Sequence, residues 1–189
     1  PNLVLRVAVA AAEFGLPIAP GTLRNLKKCP IGDRNWTDES RELFIRLLAS
    51  GPALLNVWED IDFIDVPGKL IPEWLGVRNR PSASAAHRYT IDRHMVEVVT
   101  RLGRETPSGG RYDDRHYEAL LLAGILHDIG KRPGVANHAA EGARHATVVV
   151  ERMGFDRDIV RWVTLLVREH LTLSEFTTGR NCLLYTSDA

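Results

Sequence analysis

Apolar residues recur at helical spacing along most of the chain, and nothing in its first half alternates as a half-buried strand would. Leu3, Val7, Ala10 and Phe14 share one stripe before Leu16-Pro17 stops the run, and Thr37 to Ala49 and Pro52 to Ile61 form two further amphipathic segments. Ile71 to Trp74 reads as a short apolar plug. The polar stretch from Arg78 to Ala85, rich in Asn, Arg, Pro and Ser, marks a linker. Beyond it, Thr90 is placed to cap a helix with Ile91, Met95, Val98, Val99 and Leu102 on one side. Tyr117 to Ile129 is apolar on most sides and predicts a buried helix. Ala139 to Met153 and Asp158 to Leu171 predict two more. The pattern gives an all-α protein, with a helical linker region over 1–80 and a second helical domain over 81–181.

Composition narrows the partners. A chain of 189 residues that is 44% hydrophobic has enough apolar material for a folded core. Its 24 Lys and Arg balance 24 Asp and Glu, so no excess positive charge draws it to a phosphate backbone and no nucleic-acid partner is expected. Cys29 and Cys182 lie far apart with no CxxC partner, which suggests neither a disulfide framework nor a zinc knuckle. No apolar run approaches the roughly 20 residues that span a bilayer, and the first residues lack a basic signal-peptide start. A cytoplasmic protein without a membrane partner is the expectation. The proline at position 1 reads as the start of a piece of something longer.

The candidate chemistry lies in the second half. All seven histidines fall at or after His87. Asp60 and Asp62 are paired carboxylates, but on a helix positions two apart diverge, so they read as a solvated helix end. His94 sits beside the stripe of its helix, and the Tyr117 helix ends in His127-Asp128. Burying an imidazole and a carboxylate together calls for a compensating positive charge, which a divalent cation supplies. Ala123 and Gly124, one turn earlier, leave room for an ion and a neighbouring helix, and Gly130 stops the helix. His138 opens the next helix, with His145 two turns along the same face. His170 shares a stripe with Val163, Leu166 and Val167. Histidines at the edges of separate apolar faces are readily explained if they converge on a metal, with His94, His127, Asp128, His138 and His170 as ligands. Imidazoles with one carboxylate suit manganese, iron, zinc or cobalt better than calcium, with magnesium also open, and an aspartate that bridges supports one ion or two. Such an ion acidifies its water and polarises a phosphoryl oxygen, so phosphoester hydrolysis fits, with Asp128 at its centre and Lys131 and Arg132 stabilising the phosphate charge.

The order His94, His127-Asp128, His138, His170 resembles the HD superfamily of metal-dependent phosphohydrolases. "HRYTIDRH" (His87 to His94), "LLLAGILHDIGK" (Leu120 to Lys131) and "LVREHLTLSE" (Leu166 to Glu175) resemble more closely the HD domain of bifunctional uridylyltransferase/uridylyl-removing enzymes. "LIPEW" (Leu70 to Trp74) is similar to an element that precedes that domain. The resemblance implies an HD-type helical bundle after a smaller helical region. It also implies the PII signalling protein as partner and hydrolysis of the nucleotidyl-tyrosine phosphodiester on it, releasing UMP or AMP. The alternatives are an HD phosphohydrolase of free nucleotides or alarmones, and a non-catalytic HD signalling scaffold. The chain departs from the family pattern at Asn137, where an aspartate is usual, and at Gly179 to Cys182, where a closing acid is expected. Residues 182–189 lack the family's continuation and read as a non-native tail.

Overall fold

The computed structural model describes residues 2–31, 36–81, 89–103 and 114–172. The expectations for His87, for the rest of the linker and for everything from 173 onward, Cys182 and the tail included, lie outside the described residues. Among the described residues the protein is all-α. The elements run α1 (Asn2–Phe14), α2 (Pro20–Leu26), α3 (Asp38–Leu48), α4 (Ala53–Phe63), α5 (Val66–Leu70), a 3-10 turn (Pro72–Gly76), α6 (Ile91–Leu102), α7 (Asp114–Leu126), α8 (His138–Arg152) and α9 (Arg157–Arg168). An isolated antiparallel bridge between Pro81 and Thr90 is the one β-type pairing among those residues.

Side-chain caps open α3, α8 and α9. Thr37 and Ser40 form a reciprocal capping box, each hydroxyl accepting from the other's backbone N–H. Asp156 accepts from the amides of Asp158 and Ile159 to open α9, and Asn137 accepts from Ala140 N to open α8. Thr90 occupies the cap position of α6, but its side chain makes no capping bond, contrary to the role expected for it. The stripe expected on α1 is also rotated. Val4, Leu5, Ala8, Val9 and Ala12 face inward, whereas Leu3 and Phe14 are 56% and 76% exposed. That helix is apolar nearly all round, so spacing alone does not choose which face α3 and α4 cover.

Helix α7 is the central strut. Leu121, Leu122, Ile125 and Leu126 are fully buried, and α6, α8 and α9 pack around it. Each such leucine or isoleucine contributes on the order of 1.5–3 kcal/mol through burial. The helix ends at Leu126, so His127 and Asp128 stand in the turn that follows, held by bonds from Ile129 N to Leu126 O and from Lys131 N to Asp128 O. Gly130 does more than stop the helix. A Cβ there would collide with the His138 carbonyl and the Gly142 amide, so glycine lets the turn pack directly on the first turns of α8. The first half docks onto this bundle through α4 against α6 and α3 against α7, and one continuous set of buried side chains runs from Val4 to Val167.

Candidate metal centre

Four helices or their ends bring the predicted ligands together. His94 projects from the first turns of α6, His127 and Asp128 follow α7, His138 opens α8, and His170 follows α9. Asp128 is the hub, 1% exposed. His170 Nε2 lies 3.3 Å from its Oδ1, and His127 Nε2 and His94 Nε2 lie 3.5 Å and 3.9 Å from its Oδ2. The imidazoles form a chain of edge-on neighbours, with ring centroids 5.1 Å apart for His94 and His127, 5.4 Å for His127 and His170, and 5.6 Å for His138 and His170. Two overlapping ligand sets result, His94 with His127 and Asp128, and Asp128 with His138 and His170. Within each set the donor atoms lie inside 4.8 Å of one another.

Backbone carbonyls fix the tautomers. His127 Nδ1 is 2.9 Å from Gly124 O, and His170 Nδ1 is 2.6 Å from Val167 O. A carbonyl only accepts, so Nδ1 carries the hydrogen in both rings and Nε2 is the nitrogen turned to Asp128. Asp128 Oδ1, His138 Nε2 and His170 Nε2 are buried without a hydrogen-bond partner. A buried polar atom left in this way is destabilising by about 1–3 kcal/mol; His138 Nε2 carries that deficit in full, Asp128 Oδ1 and His170 Nε2, 3.3 Å apart, offset part of it by ion pairing, and a cation shared among the three removes it. The donor set therefore fits a divalent ion of the nitrogen- and oxygen-loving transition series.

At Asp128 and His138 the charges agree with that use. Burial alone would raise the Asp128 carboxyl, but the approach of His127, His170 and Lys131 outweighs it and holds the group well below the usual carboxylate range, so it stays ionised. Burial lowers His138, and the positive charge of Lys131 adds to the effect, which favours the neutral, ligating form. His170 is lowered by burial but raised more by the neighbouring Asp128 carboxylate and by its bond to Val167 O, which favours an imidazolium paired with Asp128; a cation at Nε2 would take the place of that proton.

The cluster lies at one side of a cavity of about 760 Å³ whose remaining wall is apolar, built from Val98, Leu102, Leu120, Ala123, Leu166 and Leu171. Lys131 lines this cavity and donates to Asp128 Oδ2 at 2.7 Å. Arg132 turns the other way, its guanidinium donating to the Glu73 carbonyl. Gly124 lies against Leu102 and Val99, so it allows α6 to approach α7 as its position suggests. His145 is not part of the cluster; it is buried on α8 and pairs with Glu141 at 3.0 Å. Asp60 and Asp62 are structural, Asp60 accepting from Ile18 N and Asp62 pairing with Arg78. Leu166, expected on the apolar stripe of α9 with Val163 and Val167, is 40% exposed and lines this cavity instead of the core.

Fold and cluster together define the class: an all-α protein in which four histidines surround one buried aspartate as a metal-competent centre. Its homologues are bifunctional uridylyltransferase/uridylyl-removing enzymes. The chain is 39% identical over 184 residues to the one from Streptomyces coelicolor and 36% identical over 182 residues to the one from Mycobacterium tuberculosis, in each case over 96% of its own length. It is 32% identical over 178 residues to the enzyme from Corynebacterium glutamicum. The chain spans only 21–24% of the length of these curated relatives, so it corresponds to a segment of them. No protein-family model matches it. No helix among the described residues is long and apolar enough to cross a membrane.

Proposed function

We propose that this segment carries the uridylyl-removing activity, the metal-dependent hydrolysis of the nucleotidyl-tyrosine phosphodiester on the PII protein. The observation that supports it most is the convergence of four histidines on Asp128, with three buried nitrogen and oxygen atoms among them that make no hydrogen bond. His94, His127, His138 and His170 would hold one or two ions with Asp128 between them. Such an ion supplies an acidified water and polarises the phosphoryl oxygens. Lys131, at the edge of the same cavity, places a positive charge where phosphate charge develops. Asp128, ionised and fixed by its neighbours, keeps the centre ready for a cation.

The apolar wall supports an aryl ester as substrate. A phenol ring has no polar edge apart from the ester oxygen, so it lies against Leu120 and Leu166 without penalty, whereas a nucleobase there would leave hydrogen-bonding groups unpaired. The tyrosyl ring therefore takes the wall and the nucleoside lies toward solvent. The test is to incubate metal-loaded protein with nucleotidylated PII and, in parallel, with a panel of free nucleotides. Release of nucleoside monophosphate from the modified PII is the expected result. Hydrolysis of the panel alone would replace this assignment by a free-nucleotide phosphohydrolase, and no hydrolysis in either arm, with metal bound, by a signalling scaffold.

A further inference from the structure

Arg132 stands next to Lys131, yet it reaches into the first half of the chain. Its Nη2 donates to the Glu73 carbonyl at 2.8 Å, and its Nε lies 3.4 Å from the carbonyl of Ile129. The carboxylate of the same Glu73 is gripped at both oxygens by Arg152, at 2.9 Å and 2.6 Å, with the two side chains only 15% and 18% exposed. Such bidentate, charge-assisted pairs are among the more directional polar contacts a protein makes. Three residues further on, a Cβ at Gly76 would lie 2.5 Å from Arg132 Nε, so glycine at that position admits the guanidinium.

One residue of the 3-10 turn thus anchors two elements that carry candidate ligands. Through its carbonyl, Glu73 holds the turn that contains Asp128. Through its carboxylate it holds the last turn of α8, whose first residue is His138. Within the turn the connection to the cluster is short: Lys131 N donates to Asp128 O, and Lys131 Nζ donates to Asp128 Oδ2.

We propose that Glu73, Gly76 and Arg132 form a clamp by which the helical region before the bundle sets the geometry of the Asp128–Lys131 turn. Arg132 is thereby a positioning residue for the metal centre and not a phosphate ligand. This rests on the reading that the cluster holds a metal. It adds a route by which movement of that first region alters metal affinity at a site whose described lining holds none of its residues, since Trp74, beside Glu73, is buried against Trp58 of α4.

The test uses the full 189-residue chain, stripped with chelator and titrated with Co²⁺, following both affinity and the visible ligand-field spectrum. The thermal midpoint of the metal-free protein is recorded beside it. Gly76→Ala is the decisive variant, because the three atoms nearest its new methyl all belong to the guanidinium end of Arg132, a flexible side chain that it would displace. Gly76→Ala and Arg132→Ala are expected to weaken Co²⁺ binding by about 10- to 100-fold and to change the spectrum, as loss of groups that orient ligands does. Arg132→Lys, which can still reach one carbonyl, recovers part of the affinity and stands in for Arg132→Ala if that variant does not fold. Unchanged affinity and spectrum in Gly76→Ala and in the Arg132 variants, whatever the midpoint does, would overturn the clamp. Failure of the unaltered chain to bind Co²⁺ would instead overturn the metal reading beneath it.

Discussion

Asp128 is the residue on which the centre turns, because a buried carboxylate facing several imidazoles and an ammonium is held ionised and has nowhere to lose its charge. Asp128→Asn keeps the shape and removes the charge. On the proposed function, several kcal/mol of transition-state stabilisation should go with it, so kcat/KM for the proposed diester hydrolysis should fall by about a thousandfold while the helical circular dichroism stays near that of the parent. His145 offers a separate test, away from the ligand sets. Burial is the largest influence on it and, with Arg132 and Arg144, lowers it below its usual value despite Glu141. A histidine lowered on folding binds fewer protons folded than unfolded, so its effect is a loss of stability as the pH drops below about 6.5. His145→Gln should flatten that acid limb in a urea-denaturation series, and an unchanged limb would show that other groups set it. At this scale the clustered histidines were legible in the sequence, since their crowding into one half is a compositional signal. The direction of Arg132 was not, because it is set by a carbonyl 59 residues away.

Among the elements, the turn between α7 and α8 matters most, for it carries two candidate ligands and presses its backbone on a helix that carries a third. Gly130→Ala forces a methyl into the His138 carbonyl and the Gly142 amide, neither of which can rotate aside. Overpacking against backbone should destabilise the chain by roughly 1–3 kcal/mol in chemical denaturation and weaken metal binding in the same variant. By contrast, Asp156→Ala removes only the cap of α9 and should lower stability by about 1 kcal/mol with metal affinity little changed. Helices α3, α8 and α9 were readable because caps and apolar spacing agree. The inward face of α1 was not, as its residues are apolar nearly all round, and α5, a five-residue helix, has no periodicity to read.

For the whole molecule, the polar stretch near residue 80 suggested two separate helical units, but burial does not stop there. Met95 and Val96 of α6 are buried, and α4 packs against that helix while α3 reaches α7. Removing residues 1–80 would bare this side of the bundle. The shortened chain is expected to melt well below the full one, and the full one in a single transition, as calorimetry can establish; two independent transitions would mean that each part holds its own core. Sequence pattern shows which faces are apolar but not which distant face covers them, and so the continuity of the core emerges only from the packing.

The most direct check on the metal centre is elemental analysis of the purified chain beside its Asp128→Asn variant. Two ligand sets sharing Asp128 predict about one to two transition-metal ions per parent chain, and close to none in the variant. A parent chain without bound metal after exposure to manganese, iron, zinc and cobalt, or a variant that retains the parent's full content, would contradict the account.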